Sequence, residues 1–274
     1  GDDLPWWILK PSVLNKTEAM TLVTRPSEVR AAITTHHELT EWVLQRYIRN
    51  PLLIDGLKFH IRLWVVAVGS LAVYIHTNPL ALFSCQKYDA SDASARASHL
   101  TNTGLQETTP EFDNYVCTRL LRKLDLEPWR EPLEAKASRP HDTLHDTLVD
   151  RMGQIVAETF VAVSTDMAAF LAAPNSFEIF GWDFLVDEHL DLHLLEANAQ
   201  PDLRTVGSAN ARPDLDPVIE GFLDDTLRVT LDRLKPDASA TTDLLETDPP
   251  EECGSLRRIL LQRTGWGAPN IAIK

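Results

Sequence analysis

The chain has 274 residues, enough for one large domain or two small ones, and its 44% hydrophobic and 24% charged residues match a soluble globular protein. A net charge of −14 repels phosphate backbones and anionic lipid, so direct nucleic-acid binding and membrane association are not expected. No apolar run reaches the roughly 18 residues that span a bilayer, "GDDLPWWILKPS" lacks the features of a secretory leader, and Cys85, Cys117 and Cys253 show no metal spacing, so free thiols in a reducing, cytoplasmic setting are expected.

In chain order, "WWILK" (6–10) and "MTLV" (20–23) predict short strands around a polar loop. "PSEVRAAITTHHELTEW" predicts a helix starting at Pro26 and Ser27. "EWVLQRYI" (41–48) is strand-like. The apolar stretch from Asn50 to Thr77 carries a turn at Asp55-Gly56 and two strands joined near Gly69-Ser70. "LALFS" adds a strand, 89–110 a polar loop containing "SHLTNTG", 112–124 a helix, and 127–142 a Pro-rich excursion. Apolar residues at Leu144, Leu148, Met152, Ile155, Val156 and Phe160 place one buried stripe on a helix spanning 143–173. A hairpin at 177–203, a helix at 213–234, an acidic loose stretch and the closing "LRRILLQRTGWG" complete the chain. Strands first, helices later and a final strand pair indicate an α+β fold with mainly antiparallel sheets and flanking helices.

The hairpin poses a chemical problem. With its turn at 188–191, Asp183 faces Glu196, and Asn198 shares the face of Glu196. Two opposed carboxylates must share a proton, meet a cation or hold a metal; a solvated face with counter-ions is the other reading. Two carboxylates and an amide suit Mg²⁺. Lys10, Lys58 and Arg62 supply positive charge, and two cations on one otherwise apolar strand call for anions, lone structural salt bridges being the other reading.

"WWILKPS", "VLQRYI", "LKFHIR", "SHLTNTG", "FEIFGWDFLVD" and "LLEANAQPDL", in this order from about residue 6 to 205, resemble the tubulin–tyrosine ligase-like family, and within it a fungal, P-body-associated subgroup. The resemblance implies an ATP-grasp fold. It implies residues 1–50 as a partial central subdomain, 51–235 as the C-terminal subdomain with the Mg-ATP site, and 236–274 as acidic linker and tail. The cofactors implied are ATP and Mg²⁺. Lys10 resembles a phosphate-contacting lysine, Gln45, Arg46, Tyr47 and Ile48 the segment whose backbone reads adenine, and Lys58 and Arg62 the pair near the γ-phosphate and acceptor. Thr101 and Asn102 resemble loop residues beside ribose and phosphates, Leu185 the residue packed on adenine, and Asp183, Glu196 and Asn198 the metal ligands. The activity implied is ATP-dependent carboxylate–amine ligation with an unknown acceptor. The alternative is a degenerate ligase domain acting as an interaction module with mRNA-decay factors in cytoplasmic granules.

The sequence departs from the family pattern at three places. Thr17 and Ala19 replace loop glycines after Lys16, His60 stands for an aspartate, and Leu82 for an arginine that holds the acceptor. Glycine lets backbone N–H groups approach phosphate closely. The acidic surface also disfavours an acidic peptide acceptor. His36-His37, His141 and His145 are expected at the surface.

Overall fold

The computed structural model describes residues 5–12, 19–69, 71–137, 141, 143–164, 173, 175–203, 212–231 and 249–262, with the backbone of 271–273. The elements begin with β1 (Trp7–Pro11), β2 (Thr21–Val23), α1 (Pro26–Thr35), β3 (Trp42–Arg46), β4 (Leu53–Ile54), β5 (Leu57–Val68), β6 (Ala72–His76) and β7 (Leu80–Lys87). They continue with α2 (Arg96–His99), α3 (Thr103–Gln106), α4 (Asn114–Cys117), β8 (Thr118–Leu120), α5 (Arg130–Ala135), α6 (Leu144–Val163), β9 (Phe177–Val186) and β10 (Leu192–Asn198). α7 (Asp216–Thr230), β11 (Glu252–Cys253), β12 (Leu256–Gln262) and β13 (Ile271–Ile273) follow. The pairings β1–β2, β1–β3, β4–β5, β5–β6, β5–β9 and β6–β12 are all antiparallel.

The chain divides into two compact units, each of three segments: Gly1–His60, Ala81–Arg119 and Leu185–His193 in the first, Ile61–Leu80, Leu120–Phe184 and Leu194–Lys274 in the second. The sequence division at residues 50 and 235 is contiguous, whereas this one is not. Strands β5, β9 and β10 each give residues to both units, which no linear cut represents.

In the first unit, the three-stranded sheet has the order β2-β1-β3. Trp6, Ile8, Leu22, Tyr47 and Leu100 form its buried cluster, so Trp6 serves the core as its apolar neighbours suggest. Helix α1 starts where Pro26 fits the first helical position and Glu28 Oε2 accepts the N–H groups of Thr24 and Arg25. It ends at Thr35, well short of Trp42. Thr34 and Thr35 turn their hydroxyls to the carbonyls of Arg30 and Ala31, and Trp42 opens β3. Within the loop after β7, Gln106 is fully buried; its amide donates to Ala97 O and accepts from Cys85 N–H. The stretch 112–124, expected as one helix, is the short α4, strand β8 and a 3₁₀ turn, because β8 pairs with β7.

In the second unit the strand order is β10-β9-β5-β6-β12-β11. Strand β5 lies between β9 and β6, so "LWVVAV" is buried on both faces and reads as a continuous apolar run. Its register pairs Leu63 with Trp182, Arg62 with Asp183 and Trp64 with Gly181. Side chains alternate, so Arg62, Trp64, Asp183 and Gly181 share one face and Leu63 and Trp182 the other. Phe222 of α7 stacks on Trp64 at 5.1 Å, and Phe160 of α6 packs on Trp182 at 5.7 Å. Gly153 lets α6 approach the sheet: a Cβ there meets Ile75 Cδ1 at 3.0 Å. Reading 236–274 as linker and tail is corrected for its described part, since β12 pairs with β6 inside the sheet and Tyr74 donates to Pro250 O at 2.9 Å. Residues 165–172 of the expected long helix lie outside the described residues, as does most of the acidic stretch.

Candidate functional site

The expected site residues fall into both units. The second holds Arg62, Asp183, Glu196 and Asn198. Arg62 and Asp183 stand opposite each other on β5 and β9 and form a two-pronged pair: Nε donates to Oδ1 at 2.5 Å and Nη2 to Oδ2 at 2.9 Å. Asp183 is 3% exposed. Of the options the hairpin left open, Asp183 therefore takes the cation. The room for it comes from Gly181, directly opposite Trp64: a Cβ at this position meets Pro201 Cβ at 2.9 Å and Arg62 Cδ at 3.2 Å.

More than one carboxylate acts on this guanidinium. Burial works against its charge, yet the hydrogen bonds and charge of Asp183, then Glu196 and Asp202, raise its proton affinity. Asn198 Nδ2 donates to Glu196 Oε1 at 3.2 Å, which leaves the amide carbonyl of Asn198 to accept. Glu196 and Asp202 thus bring further negative charge to bear on Arg62. Carboxylate and amide oxygens with no thiolate or imidazole among them are the donor type of a hard divalent cation such as Mg²⁺.

The first unit holds Lys10, Gln45, Arg46, Tyr47, Ile48, Lys58, Thr101, Asn102 and Leu185. On its sheet, Lys10 of β1 lies opposite Val43, Ile8 opposite Gln45 and Trp7 opposite Arg46. Leu185 is 3% exposed and Thr101 6% exposed. Lys58 is buried, and its Nζ donates to Tyr47 Oη at 2.9 Å and to the His99 carbonyl at 2.8 Å, with the Tyr47 ring 4.4 Å from the ammonium position. Burial, with Lys10 adding repulsion, pushes the Lys58 amine down to about 7. Tyr47 Oη lies 2.9 Å from His99 Nδ1, and His99 Nε2 lies 2.8 Å from the Asp92 carbonyl.

Sequence reasoning missed His99 and Gly181. His99 sits inside the quoted "SHLTNTG", and a histidine beside two chosen positions was the available signal; its partners lie 52 and 41 residues away. Gly181 was available as a glycine inside a strand pattern, a mark of close approach. His60 Nδ1 lies 2.5 Å from Thr101 Oγ1, so the position that carries aspartate in the family pattern is buried and bonded here. Leu82 is buried as well. Lys16 and Thr17 of the altered glycine loop lie outside the described residues. His36 and His37 are not buried, as expected. His141 and His145 are not surface groups: their side chains are 8% and 13% exposed, and His141 Nε2 lies 3.5 Å from Asp150. Asp150 also meets Arg257 of β12 at 3.6 Å, so His141 and Arg257 share one carboxylate. Among the described residues, no group of three or more His, Cys, Asp or Glu is arranged to hold a metal. No helix among them is long and apolar enough to cross a membrane.

Comparison with known proteins bears on the fold and the family. The C-terminal domain of Kluyveromyces lactis Pby1, described as an ATP-grasp enzyme interacting with the mRNA decapping enzyme Dcp2, superposes with a TM-score of 0.53 at 26% identity, over 89% of this chain and 63% of that one. The fold is therefore ATP-grasp, a family of folds that uses ATP with a divalent metal. The probable tubulin–tyrosine ligase PBY1 of Saccharomyces cerevisiae is 28% identical over 89% of this chain. The probable tubulin–tyrosine ligase C12B10.04 of Schizosaccharomyces pombe is 29% identical over 74% of it. The chain spans 35% and 53% of the length of these two relatives. The sequence profile described as "Tubulin-tyrosine ligase family" matches residues 2–238, and the chain belongs to that family.

Proposed function

We propose that this chain binds ATP with Mg²⁺ and is built to join a carboxylate to an amine. The observation that carries the reading is Asp183 paired with Arg62 on adjoining strands, with Asn198 bonded to Glu196 on the strand beside them. Asp183, Glu196 and Asn198 would hold the metal, whose chemistry is to neutralise phosphate oxygens. Arg62, fixed by Asp183, presents a permanent positive charge to an anion. Lys10 and Lys58 contribute charge to the phosphates, while Thr101 and Asn102 meet the ribose and phosphate side. The backbone of Gln45–Ile48 reads the adenine edge and Leu185 packs on its face. Ligation of this kind needs positioning and electrostatic stabilisation rather than a protein nucleophile. In this reading 51–235 carries the Mg-ATP site, 1–50 is a partial central subdomain, and the protein works in the cytoplasm.

One observation favours a second reading, an interaction module of mRNA-decay granules: the Pby1 neighbour is described as interacting with Dcp2. The replaced glycines at Thr17 and Ala19 agree with a domain that has lost turnover. A fluorescent ATP analogue titrated with Mg²⁺ or with EDTA tests the site. Binding should need the metal and vanish in Asp183→Ala and Glu196→Ala; intact binding in both variants removes the assignment. ATP-dependent amide formation with an acceptor pool then separates enzyme from module. A metal-dependent nucleotide site without such product favours the module.

A further inference from the structure

The Lys58 amine is arranged for its neutral state. A neutral amine has two N–H donors, and Lys58 has two acceptors, Tyr47 Oη and the His99 carbonyl, at 2.9 and 2.8 Å. Both acceptors are uncharged, and no carboxylate ion-pairs with Lys58 among the described residues. The ammonium form carries a third N–H, and the pocket supplies no further bonded acceptor for it among those residues. Charging this buried group without an anion is costly.

The two acceptors are themselves fixed. His99 Nε2 faces a carbonyl, Asp92 O, so it must carry the proton. Nδ1 is then the acceptor, and Tyr47 donates its hydroxyl proton to it. That leaves the Tyr47 oxygen to accept from Lys58. The chain Lys58 to Tyr47 to His99 to Asp92 O therefore runs in one direction. Burial depresses the proton affinity of His99, which keeps the imidazole neutral.

The charged and titratable neighbours agree. Lys10 on β1 repels a charged Lys58. Tyr88 packs edge-on against His99 at 5.1 Å, donates its hydroxyl to Arg49 O, and has its hydroxyl oxygen beside the Tyr47 hydroxyl as a second neutral neighbour. Asp89 and Asp92 act on His99 and are not among the groups acting on Lys58. On the strand of Lys58, His60 is engaged with Thr101.

We infer that Tyr47 and His99 are positioning residues that hold Lys58 as a neutral amine, and that capture of a nucleotide phosphate supplies its missing acceptor and draws one proton from solvent onto Lys58. This rests on the nucleotide-binding reading above. The step balances simply: the amine lone pair takes a proton from water or buffer, the third N–H bonds a phosphate oxygen, and no covalent bond to the nucleotide changes. Binding then weakens as pH rises above the free amine's value, because more of the free chain must gain a proton.

The test is calorimetry of Mg-ATP into this chain at about pH 8, in two buffers of different ionisation enthalpy. The expected result is uptake of about nine-tenths of a proton per nucleotide, and about fifteenfold weaker binding at about pH 8.5 than at about pH 7. Tyr47→Phe keeps the ring and removes the acceptor, so it should change the proton uptake and the pH profile; a purely structural role would weaken binding equally at every pH. Lys58→Arg cannot titrate and should bind without uptake. Binding of Mg-ATP by the parent chain with no proton uptake and a flat pH profile overturns the inference and leaves the nucleotide site standing. Absence of binding at every pH overturns the nucleotide-binding reading and this inference with it.

Discussion

Lys58 and Arg62 lie four residues apart in one strand and meet burial in opposite ways. Arg62 keeps its charge and is clasped by Asp183, with Glu196 and Asp202 adding their fields. Lys58 is surrounded by a phenol, a carbonyl and a second lysine, and its amine is pushed down to about 7. Chemistry sets the difference. A guanidinium stays charged at any ordinary pH and matches a carboxylate with two parallel bonds, whereas a buried amine can shed its proton. The first arrangement is an ion pair formed before any ligand arrives. The second has spare capacity for an anion.

Breaking the ion pair should cost most. Asp183→Ala leaves a buried guanidinium without its carboxylate, and urea unfolding should register a loss of about 3–5 kcal/mol. Crowding the pair is the next test. Gly181→Ala places a methyl against Pro201 and Arg62 and should cost about 1–3 kcal/mol in the same assay; an unchanged midpoint would mean that Arg62 moves freely. Lys58→Met should cost less, about 1–2 kcal/mol, because it strands two neutral acceptors and no charge. A loss as large as that of Asp183→Ala would erase the contrast between the two cations.

The remaining test is a pH slope. Lys58 holds its proton less tightly in the folded chain, at about 7, than the roughly 10.4 of a free lysine. Between those values the unfolded chain binds more protons, so this group makes stability rise with pH. Its contribution is full above about pH 10.4, declines as pH falls and is gone below about pH 7. Lys58→Met should flatten that part of the stability profile relative to the parent, and identical slopes would place the amine in a charged state.

What the sequence revealed followed from short periods. Alternation along "FGWDFLVD" and "LLEAN" put Asp183, Glu196 and Asn198 forward as a chemical set, and the motifs around them pointed to the ATP-grasp fold that the Pby1 neighbour shares. The partner of Asp183 was not readable in that hairpin. It stands on β5, 121 residues away in sequence, and its position depends on a strand register that no local pattern encodes. Tyr47 was chosen for its backbone, while its hydroxyl tie to Lys58 appears only once the first unit has folded. Around Thr118–Leu120, pairing with β7 replaced the expected helix by a strand. The acidic stretch before residue 249 made everything after it look like a tail, although "LRRILLQ" is a strand inside the sheet.

The most direct measurement is a calorimetric titration of Mg-ATP into the parent chain and into Glu196→Gln. That substitution preserves shape and removes one of the charges acting on Arg62. Saturable binding by the parent and its loss in the variant is the predicted result. Equal affinity in the two proteins would contradict the claim that Asp183, Glu196 and Asn198 form the metal-nucleotide site.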